Sequence, residues 1–226
     1  MTSHALETAW LKHVPRDIKQ KLCDLCKLEK FERDTVIYHE GQGLTDLWAV
    51  SRGCVKVMVT FNEMETVLGH LHLPGAWFGE SELVLNLPGL VEMRACSEVD
   101  LIRLPCQAFR HLANKHPELW EALARLSSMN QLLAMAAAND LVLTGGHRRV
   151  AATLLRLSGH RHVLQGSKTI RRLPVTQAEI AGLANLAPSK TSQHLKTMVK
   201  QSLIELTYRQ IALRDIEGLR QFIVQE

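Results

Sequence analysis

The chain has 226 residues, of which 46% are hydrophobic and 22% are charged, and its net charge is +4. This composition is typical of a globular protein and excludes a disordered or fibrous one, while the length suits one large or two modest domains. No apolar run reaches the ~18 residues of a membrane-spanning helix, and the first residues lack the basic and apolar regions of a secretory signal, so we expect a cytoplasmic protein that does not bind a membrane.

The charge is divided unevenly along the chain. Residues 1–143 carry 14 Lys/Arg and 18 Asp/Glu, a net charge of −4, whereas residues 144–226 carry 13 and 5, a net charge of +8. A basic C-terminal segment is expected to bind a polyanion, of which nucleic acid is the commonest. A basic surface that only meets solvent is the alternative.

The first elements in chain order are short. A helix is predicted at residues 15–27, followed by strands at residues 35–38, 46–50, 53–60, 65–71 and 98–104. Alternation is clearest where Val55, Val57 and Val59 fall on one face of a strand. Many short strands with no helix between them predict a closed or double-layered antiparallel structure.

A long helical pattern follows at residues 106–141, in which Pro117 is tolerable only where a helix begins. Side chains recur there at alternating spacings of four and three. They are Leu119, Leu123, Leu126, Asn130, Leu133, Ala137 and Asp140. This repeat predicts a parallel homodimer with the first six of these residues in its interface, where a lone Asn pairs across the axis and fixes the register. An amphipathic helix packed on its own sheet is the alternative.

Gly145 and Gly146 interrupt this pattern and predict a hinge at residues 144–146. The strongest motif comes after it. Thr176 and Glu179 have the spacing of a capping box that begins a helix, and Pro188 suits the first position of a second helix. The inward face of this second helix is predicted to be apolar and to consist of Leu195, Met198, Val199 and Leu203.

The opposite, polar face of the second helix predicts DNA binding. The candidate DNA-binding residues are Thr176, Ser189, Lys190, Thr191, Gln193, Lys196, Lys200 and Arg209. Gln193 can contact adenine N6 and N7 in the major groove, whereas the lysines are expected to meet phosphate. Strands at 202–206 and 210–213 predict a wing that carries Arg209, and Asp215 is expected to cap a last helix at 216–224. An ordinary helical hairpin with a charged exterior is the alternative.

Four further stretches complete a resemblance. They are YHEG from Tyr38, LWAVSRGCVKV from Leu47, LPGAWFGE from Leu73 and RVAATLLRL from Arg149. In this order, and followed by the winged helix, they resemble the CRP/FNR (cyclic-AMP-receptor-protein-like) family of transcription regulators over nearly the whole chain. The resemblance implies an α+β fold with an N-terminal antiparallel β-roll, which is a double-stranded β-helix like that of cyclic-nucleotide-binding domains. It also implies a long dimerisation helix and a C-terminal winged helix-turn-helix that binds palindromic double-stranded DNA and contacts RNA polymerase.

The resemblance places the domains at 1–107 (β-roll), 108–143 (dimerisation helix) and 144–226 (DNA binding). It places an effector pocket at Gly79, Glu80, Arg94 and Met135. Cyclic-nucleotide binders of the family carry Arg-Ser/Thr about ten residues after Gly-Glu, and this arginine neutralises the phosphate. Here residues 87–91 hold no cation. A buried phosphate without a paired cation is costly, so cyclic AMP is disfavoured.

Two further departures from the family concern the adenine and the operator. Ala134 and Met135 stand where the family places Thr and Ser to reach the adenine. Pro188-Ser189 and Gln193 stand where members that bind GTGA-like half-sites carry Arg-Glu and a second Arg, so a different operator is expected. A small-molecule effector of unknown identity and a regulator without any ligand both stay open.

We expect no metal or cofactor. Cys23 and Cys26 have CxxC spacing, but an iron–sulfur cluster needs about four thiolates, and all five cysteines are expected to be reduced thiols. His70 and His72 share a strand face and are expected to be a pair at the core edge. Sensing through haem, a cluster or thiols is the alternative within the family. An enzyme is the alternative of another class, and no nucleophile elbow, P-loop, HExxH or dinucleotide fingerprint supports it.

Overall fold

The computed structural model describes residues 8–43, 46–60, 66–161 and 169–224, and it divides into two compact units, Met1–Gln131 and Leu132–Glu226. The first seven residues, Glu65 in the predicted strand 65–71, and the last two residues of the predicted third domain lie outside the described residues. No described helix has the length and apolarity that crossing a membrane requires.

Unit 1 contains two four-stranded antiparallel sheets. Its strands are β1 (Lys27–Phe31), β2 (Val36–Tyr38), β3 (Leu47–Arg52), β4 (Val55–Val59), β5 (Val67–His72), β6 (Trp77–Phe78), β7 (Glu92–Ala95) and β8 (Val99–Leu104). The strand order is β1-β8-β3-β6 in the first sheet and β2-β7-β4-β5 in the second. The double-layered antiparallel structure predicted from the sequence is therefore confirmed.

The inner strands of the first sheet, β3 and β8, are largely buried on both faces, whereas the edge strand β1 is mostly exposed. Along β3, Leu47 and Ala49 join the core cluster formed with the helices of the unit, whereas Trp48 and Val50 join the cluster between the two sheets. Two-sided burial explains why this strand is a continuous apolar run and does not alternate with polar residues. Trp10 lies in a short 3₁₀ turn at Ala9–Leu11 and packs edge to face against Trp77, with ring centroids 5.3 Å apart. Both tryptophans belong to the core cluster on the helical side of the sheet.

Four helices complete unit 1 and the boundary region. They are α1 (Arg16–Leu25), α2 (Glu80–Leu85), α3 (Cys106–Lys115) and α4 (Glu118–Val142). The expectation that no helix interrupts the strands is wrong, because α2 lies between β6 and β7. Pro117 directly precedes α4, as predicted, and the boundary between the units falls within this 25-residue helix.

The leucines of α4 that were assigned to a dimer interface lie in the core of their own protomer. Leu119 and Leu123 are fully buried and Leu126 is 3% exposed, all within the cluster that contains Trp10 and Trp77. Side chains that their own chain covers offer no area to a second chain, so the assignment of these three leucines is corrected. A seven-residue repeat shows which residues share a face, but the tertiary structure decides what that face meets.

Unit 2 contains four further helices and a small sheet. In chain order, these helices and the strands of the sheet are α5 (Gly146–Leu157), β9 (Arg172–Leu173), α6 (Gln177–Leu183), α7 (Pro188–Lys200), β10 (Ile204–Thr207), β11 (Gln210–Leu213) and α8 (Ile216–Val224). The sheet has the order β10-β11-β9 with antiparallel pairing. As predicted, Asp215 caps α8, since its Oδ1 accepts from the Gly218 amide at 2.9 Å.

A buried ionic network joins the last turns of α4 to α5. Asp140 Oδ2 accepts from Arg156 Nε at 2.9 Å, and Oδ1 accepts from Arg161 Nε. The Asp140 and Arg156 side chains are each 1% exposed. A buried carboxylate with two guanidinium partners holds these segments in a single arrangement, because losing either partner leaves an uncompensated charge.

Candidate nucleic-acid interface and effector pocket

Helix α6 begins with the predicted capping box. Thr176 Oγ1 accepts from the Glu179 amide at 3.2 Å, and Glu179 Oε2 accepts from the Thr176 amide at 2.8 Å. Ile180 and Leu183 are buried, as expected. Because the Thr176 hydroxyl is used in this cap, it positions α6, and a role of Thr176 in contacting DNA stays a prediction.

A tight turn sets the direction of the second helix. Asn185 adopts a left-handed conformation with φ 50°, and the Leu186 amide donates to the Ala181 carbonyl at 3.0 Å. Pro188 then occupies the first turn of α7, where a missing amide donor costs nothing. The two helices and their turn therefore form a helix-turn-helix.

The outer face of α7 is polar and exposed. Its exposed side chains are Ser189, Lys190, Gln193, Lys196, Thr197 and Lys200. The helix contains no acidic residue, and no ion pair within the described part of the chain engages its lysines. This face can therefore present three uncompensated positive charges and one amide to an anionic partner.

Two predicted residues of α7 lie elsewhere than expected. Thr191 is fully buried, and its hydroxyl donates to the Ala187 carbonyl at 3.2 Å, so its assignment to DNA contact is corrected. Val199 is 39% exposed, so it does not belong to the inward face formed by Leu195, Met198 and Leu203. Thr191 lies three residues after Pro188, on the side of the helix that packs inward. Its polar side chain alone does not indicate that it is buried.

A β-hairpin beside the helix-turn-helix carries an aromatic and a cation at its tip. Tyr208 is 88% exposed, and the guanidinium carbon of Arg209 lies 5.8 Å from the centre of its ring. Arg209 has φ 54°, which fits the tight connection between β10 and β11. Sequence reasoning identified Arg209 but missed Tyr208, together with exposed Arg171 and Arg172 next to the third strand.

One histidine on α7 faces the interior of unit 2. The rings of His194 and His147 have centroids 6.0 Å apart. Burial, followed by the charges of His147 and Lys190, lowers the pKa of His194 below its usual value. This environment favours the neutral form of His194, and the lysines are the charged groups of the exposed face of the helix.

The candidate effector pocket in unit 1 is organised by Gly79 at the start of α2. Its φ is 91°, and a Cβ at this position would overlap the Asp46 carbonyl oxygen. Glycine is therefore required both by the conformation and by the close approach of β3. The following residue, Glu80, is thereby turned into the interior, where it is 4% exposed.

Asn130 is the principal partner of Glu80. Its Nδ2 donates to Glu80 Oε1 at 2.9 Å and to the Trp77 carbonyl at 3.1 Å, all within unit 1. The prediction that Asn130 pairs with its copy across a dimer axis is corrected, since its amide is used inside the protomer. Burial raises the pKa of Glu80 above its usual value, although the hydrogen bond from Asn130 opposes this effect.

Arg94 does not reach this pocket. It lies on β7 between the buried residues Met93 and Ala95, and the alternation of a strand places it on the opposite face. Its guanidinium donates to Glu92 Oε1 at 2.6 Å and to the Asp34 carbonyl at 3.2 Å. The assignment of Arg94 to the pocket is therefore corrected. Met135, also assigned to it, is 61% exposed in unit 2.

Two buried polar side chains near Glu80, those of Glu82 and Tyr38, were missed by sequence reasoning, whereas His72 was expected at the core edge. Glu82 is 3% exposed and accepts from the Leu90 amide at 3.3 Å. Tyr38 is 2% exposed, and its hydroxyl has no hydrogen-bond partner within the described residues. Burial, then Glu82 and Glu80, raises the pKa of Tyr38. His72 stacks on Phe78 with ring centroids 5.0 Å apart, and burial lowers its pKa to about 4.

The candidate metal and redox residues form no common cluster. His70 and His72 have ring centroids 5.3 Å apart, and Cys23 and Cys26 pack against the core of unit 1. Within residues 8–43, 46–60, 66–161 and 169–224, no three His, Cys, Asp or Glu side chains lie close enough to hold a metal ion. The expectation that all five cysteines are unpaired is wrong, because Cys54 and Cys96 are joined by a disulfide.

Two family models match the chain, one in each unit. A cyclic nucleotide-binding domain matches residues 28–116, and a Crp-like helix-turn-helix domain matches residues 148–222. The first covers the two sheets with α2 and α3. The second begins in α5 and includes the helix-turn-helix and the wing.

Curated relatives and solved structures with the same arrangement extend over most of the chain. An HTH-type transcriptional regulator Cmr from Mycobacterium tuberculosis is 27% identical over 91% of this chain and 80% of its own length. The transcriptional regulatory protein btr from Bordetella pertussis is 27% identical over 94% and 88%. The structure of FixK2 from Bradyrhizobium japonicum superposes with a TM-score of 0.74 at 20% identity, over 87% of this chain and 96% of its own, and supports the fold.

Proposed function

Because the chain belongs to the CRP/FNR family of DNA-binding transcription regulators, we propose that it binds an inverted-repeat operator as a homodimer in the cytoplasm, where it contacts RNA polymerase. The family consists of regulators and not of enzymes. The observation that carries the proposal is the exposed face of α7, where Gln193 lies among Lys190, Lys196 and Lys200 with no acidic residue on the helix.

In this proposal α7 enters the major groove of double-stranded DNA. A dimer presents two such helices to half-sites about one helical turn (~34 Å) apart, so the operator is an inverted repeat. Gln193 makes a bidentate contact with adenine, while the lysines and Arg209 neutralise phosphates. Tyr208 lies at the tip of the wing, where its ring and Arg209 can approach the sugar-phosphate backbone together.

Selection from a random duplex library, followed by fluorescence anisotropy on the selected operator, tests base recognition. Gln193→Ala is expected to cost about 1–3 kcal/mol on the operator and to relax base choice at one position per half-site, with little change on random DNA. Equal weakening on both kinds of DNA would contradict the role of Gln193.

Lys196→Ala should weaken binding to both kinds of DNA alike and should lower the slope of log affinity against log salt by about 0.9 for each phosphate lost. Lys115→Ala removes an exposed lysine from the end of α3 in unit 1 and is the matched control. An effect of the control as large as that of Lys196→Ala would show that net charge alone is responsible.

The dimer is proposed to form along a different face of α4 from the one that the sequence predicted. Met135 and Val142, in the part of α4 that belongs to unit 2, are seven residues apart and exposed, and Leu132 one turn before Met135 is 49% exposed. A stripe with this period can pair with a second copy of itself. Leu133 and Ala137, from the predicted interface, are half-buried and lie on the opposite side of the helix, since each is two residues from Met135.

Met135→Asp places a charge in this stripe and should shift the protein to monomer in sedimentation velocity, with loss of operator affinity. Leu28→Asp changes a 44%-exposed leucine on β1 and is the control that should remain dimeric. A dimeric Met135→Asp variant would contradict the proposed interface without affecting the proposed DNA contacts.

We also propose that the pocket of unit 1 does not bind cyclic AMP. Residues 87–91 hold no cation and Arg94 faces away toward Glu92, so neither region supplies a positive charge for a cyclic phosphate, and Glu80 Oε1 already accepts from Asn130. Titration calorimetry with cyclic AMP and cyclic GMP should give no binding heat, and saturable binding would contradict this statement. Absorption spectra and native mass spectrometry of protein purified without oxygen test the haem, cluster and ligand-free alternatives.

A further inference from the structure

Cys54 and Cys96 lie in two of the connections by which the chain passes between the sheets of unit 1. Cys54 separates β3 of the first sheet from β4 of the second, and Cys96 separates β7 of the second sheet from β8 of the first. The two cysteines therefore lie in neighbouring connections, although 42 positions separate them in the sequence.

The strand register brings these cysteines opposite each other. Val55 pairs with Ala95, so Cys54 and Cys96 are the next cross-strand positions, and the Cys96 amide donates to the Cys54 carbonyl at 3.0 Å. Their Cα atoms are 5.6 Å apart, which is within the usual disulfide range, and the sulfur atoms are bonded. Cys23, Cys26 and Cys106 are free thiols.

Reducing compartments normally keep such pairs as thiols unless they take part in redox chemistry. We propose that Cys54 and Cys96 form a reversible thiol–disulfide site that is oxidised by exchange with a low-molecular-weight disulfide. The site belongs to unit 1, and its test does not require that the chain bind DNA.

The unequal exposure of the two sulfurs sets the order of the steps. Cys54 is fully buried, whereas Cys96 is half-buried, so the Cys96 thiolate attacks the small disulfide first and releases one small thiolate. Cys54 loses its proton to solvent and attacks Cys96 Sγ in the resulting mixed disulfide, which releases the second small thiolate. Overall, two protein thiols are oxidised to one disulfide, and one small disulfide is reduced to two thiols.

The CxxC pair is the competing site, and its two cysteines are free in the structure, whereas Cys54 and Cys96 are bonded. Burial, and then the neighbouring Cys23, raise the pKa of Cys26 to about 12, which leaves little thiolate at neutral pH. The Cys54–Cys96 bond also encloses β4, β5, β6, α2 and β7, and therefore Gly79 and Glu80 of the candidate pocket. Oxidation should thus restrict the part of unit 1 that surrounds Glu80.

The test uses the full-length protein in buffers of increasing oxidised to reduced glutathione. Samples are quenched in acid, unfolded, alkylated with iodoacetamide, then reduced and labelled with N-ethylmaleimide before peptide mass spectrometry. We expect the Cys54 and Cys96 peptides to change together from the iodoacetamide label to the N-ethylmaleimide label at one glutathione ratio. This ratio should be the same at every protein concentration. The Cys23, Cys26 and Cys106 peptides should keep the iodoacetamide label throughout. Addition of dithiothreitol should reverse the change.

Cys96→Ser should leave Cys54 alkylated at every ratio, and Cys23→Ser is the matched control that should leave the change intact. Free Cys54 and Cys96 thiols throughout, a bond between Cys23 and Cys26 in their place, or a change that depends on protein concentration would overturn the proposal. Because the wild-type labelling pattern needs no variant, the result does not depend on whether Cys96→Ser folds.

Discussion

The two units bury ionisable side chains in opposite ways. In unit 1, Glu80 is 4% exposed and has an amide as its main partner, and His72 is 8% exposed against an aromatic ring. In unit 2, Asp140 is 1% exposed and lies between the guanidinium groups of Arg156 and Arg161. Burial therefore favours the neutral forms of Glu80 and His72 in unit 1, whereas unit 2 pairs the buried charges of Asp140 and Arg156.

This difference indicates that unit 1 can respond to a small molecule, whereas unit 2 must keep its shape. A neutral or singly hydrogen-bonded group can exchange its partner at small cost, whereas a buried ion pair cannot lose one member without leaving a bare charge. The paired charges of unit 2 suit a domain that must present α7 to DNA in one arrangement, in agreement with the function that we propose. Substitutions at the buried groups test the comparison directly.

The largest effect is expected from Asp140→Ala. It leaves Arg156 buried without its counterion and should destabilise unit 2 by about 3–5 kcal/mol. Hydrogen exchange of α5 should therefore become much faster. The fluorescence unfolding of unit 1 should change little, since all four tryptophans, Trp10, Trp48, Trp77 and Trp120, belong to that unit.

Glu121→Ala is the control for this experiment. It breaks the Glu121–Arg125 pair, in which the glutamate side chain is 69% exposed, and exposed pairs contribute about 0–1 kcal/mol. If α5 were as strongly protected from hydrogen exchange in Asp140→Ala as it is in Glu121→Ala, the contrast between the two units would be refuted.

A smaller effect is expected from the titration of His72. Because burial lowers its pKa from 6.5 to about 4, the unfolded chain binds a proton before the folded chain does, so stability is lost as the pH falls from 6.5 to 4. Its contribution over this window is roughly 3 kcal/mol at 1.36 kcal/mol for each pKa unit. His72→Gln should flatten the pH dependence of urea unfolding followed by tryptophan fluorescence. If the free energy of unfolding of this variant depended on pH as steeply as that of the wild type, groups other than His72 would be responsible for the pH dependence.

The smallest effect is expected from Glu80→Gln, which keeps an oxygen that accepts from Asn130 and removes the charge. Burial raises the pKa of Glu80, so the folded chain binds the proton more tightly and stability falls as the pH rises through that pKa. The variant should therefore be at least as stable as the wild type at pH 8, and the difference should disappear at low pH, where Glu80 is protonated in both the folded and the unfolded chain. A clear loss of stability at pH 8 would show that the charge has a partner.

Local rules predicted much of unit 2. Thr176 with Glu179, Pro188, and Asp215 each lie at the helix end that the sequence predicted, because a cap depends on residues within one turn. The same rules missed α2 and β1 in unit 1, where the predicted helix 15–27 ran into the first residue of β1, and the two-residue strands β6 and β9. Such short elements have too few residues to show a period, and their neighbours in the fold stabilise them.

The functional assignments that failed share another cause. Leu119 and Asn130 have the spacing of a dimer interface, but the same spacing suits a helix packed on its own sheet, which is where the structure places them. Thr191 and Arg94 have suitable chemistry for DNA and phosphate, but each points away from the expected partner. Spacing shows which side chains share a face, and it does not show what covers that face.

The amino-acid sequence alone determined the order of parts, the helix caps, the division of charge and the exposed polar face of α7, because all of these depend on residues close together in the chain. The tertiary structure decided that the leucines of α4 enter the protomer core, that Glu80 meets Asn130, and that Cys54 meets Cys96. These contacts join positions tens of residues apart, and only the register and packing of distant strands and helices bring such positions together.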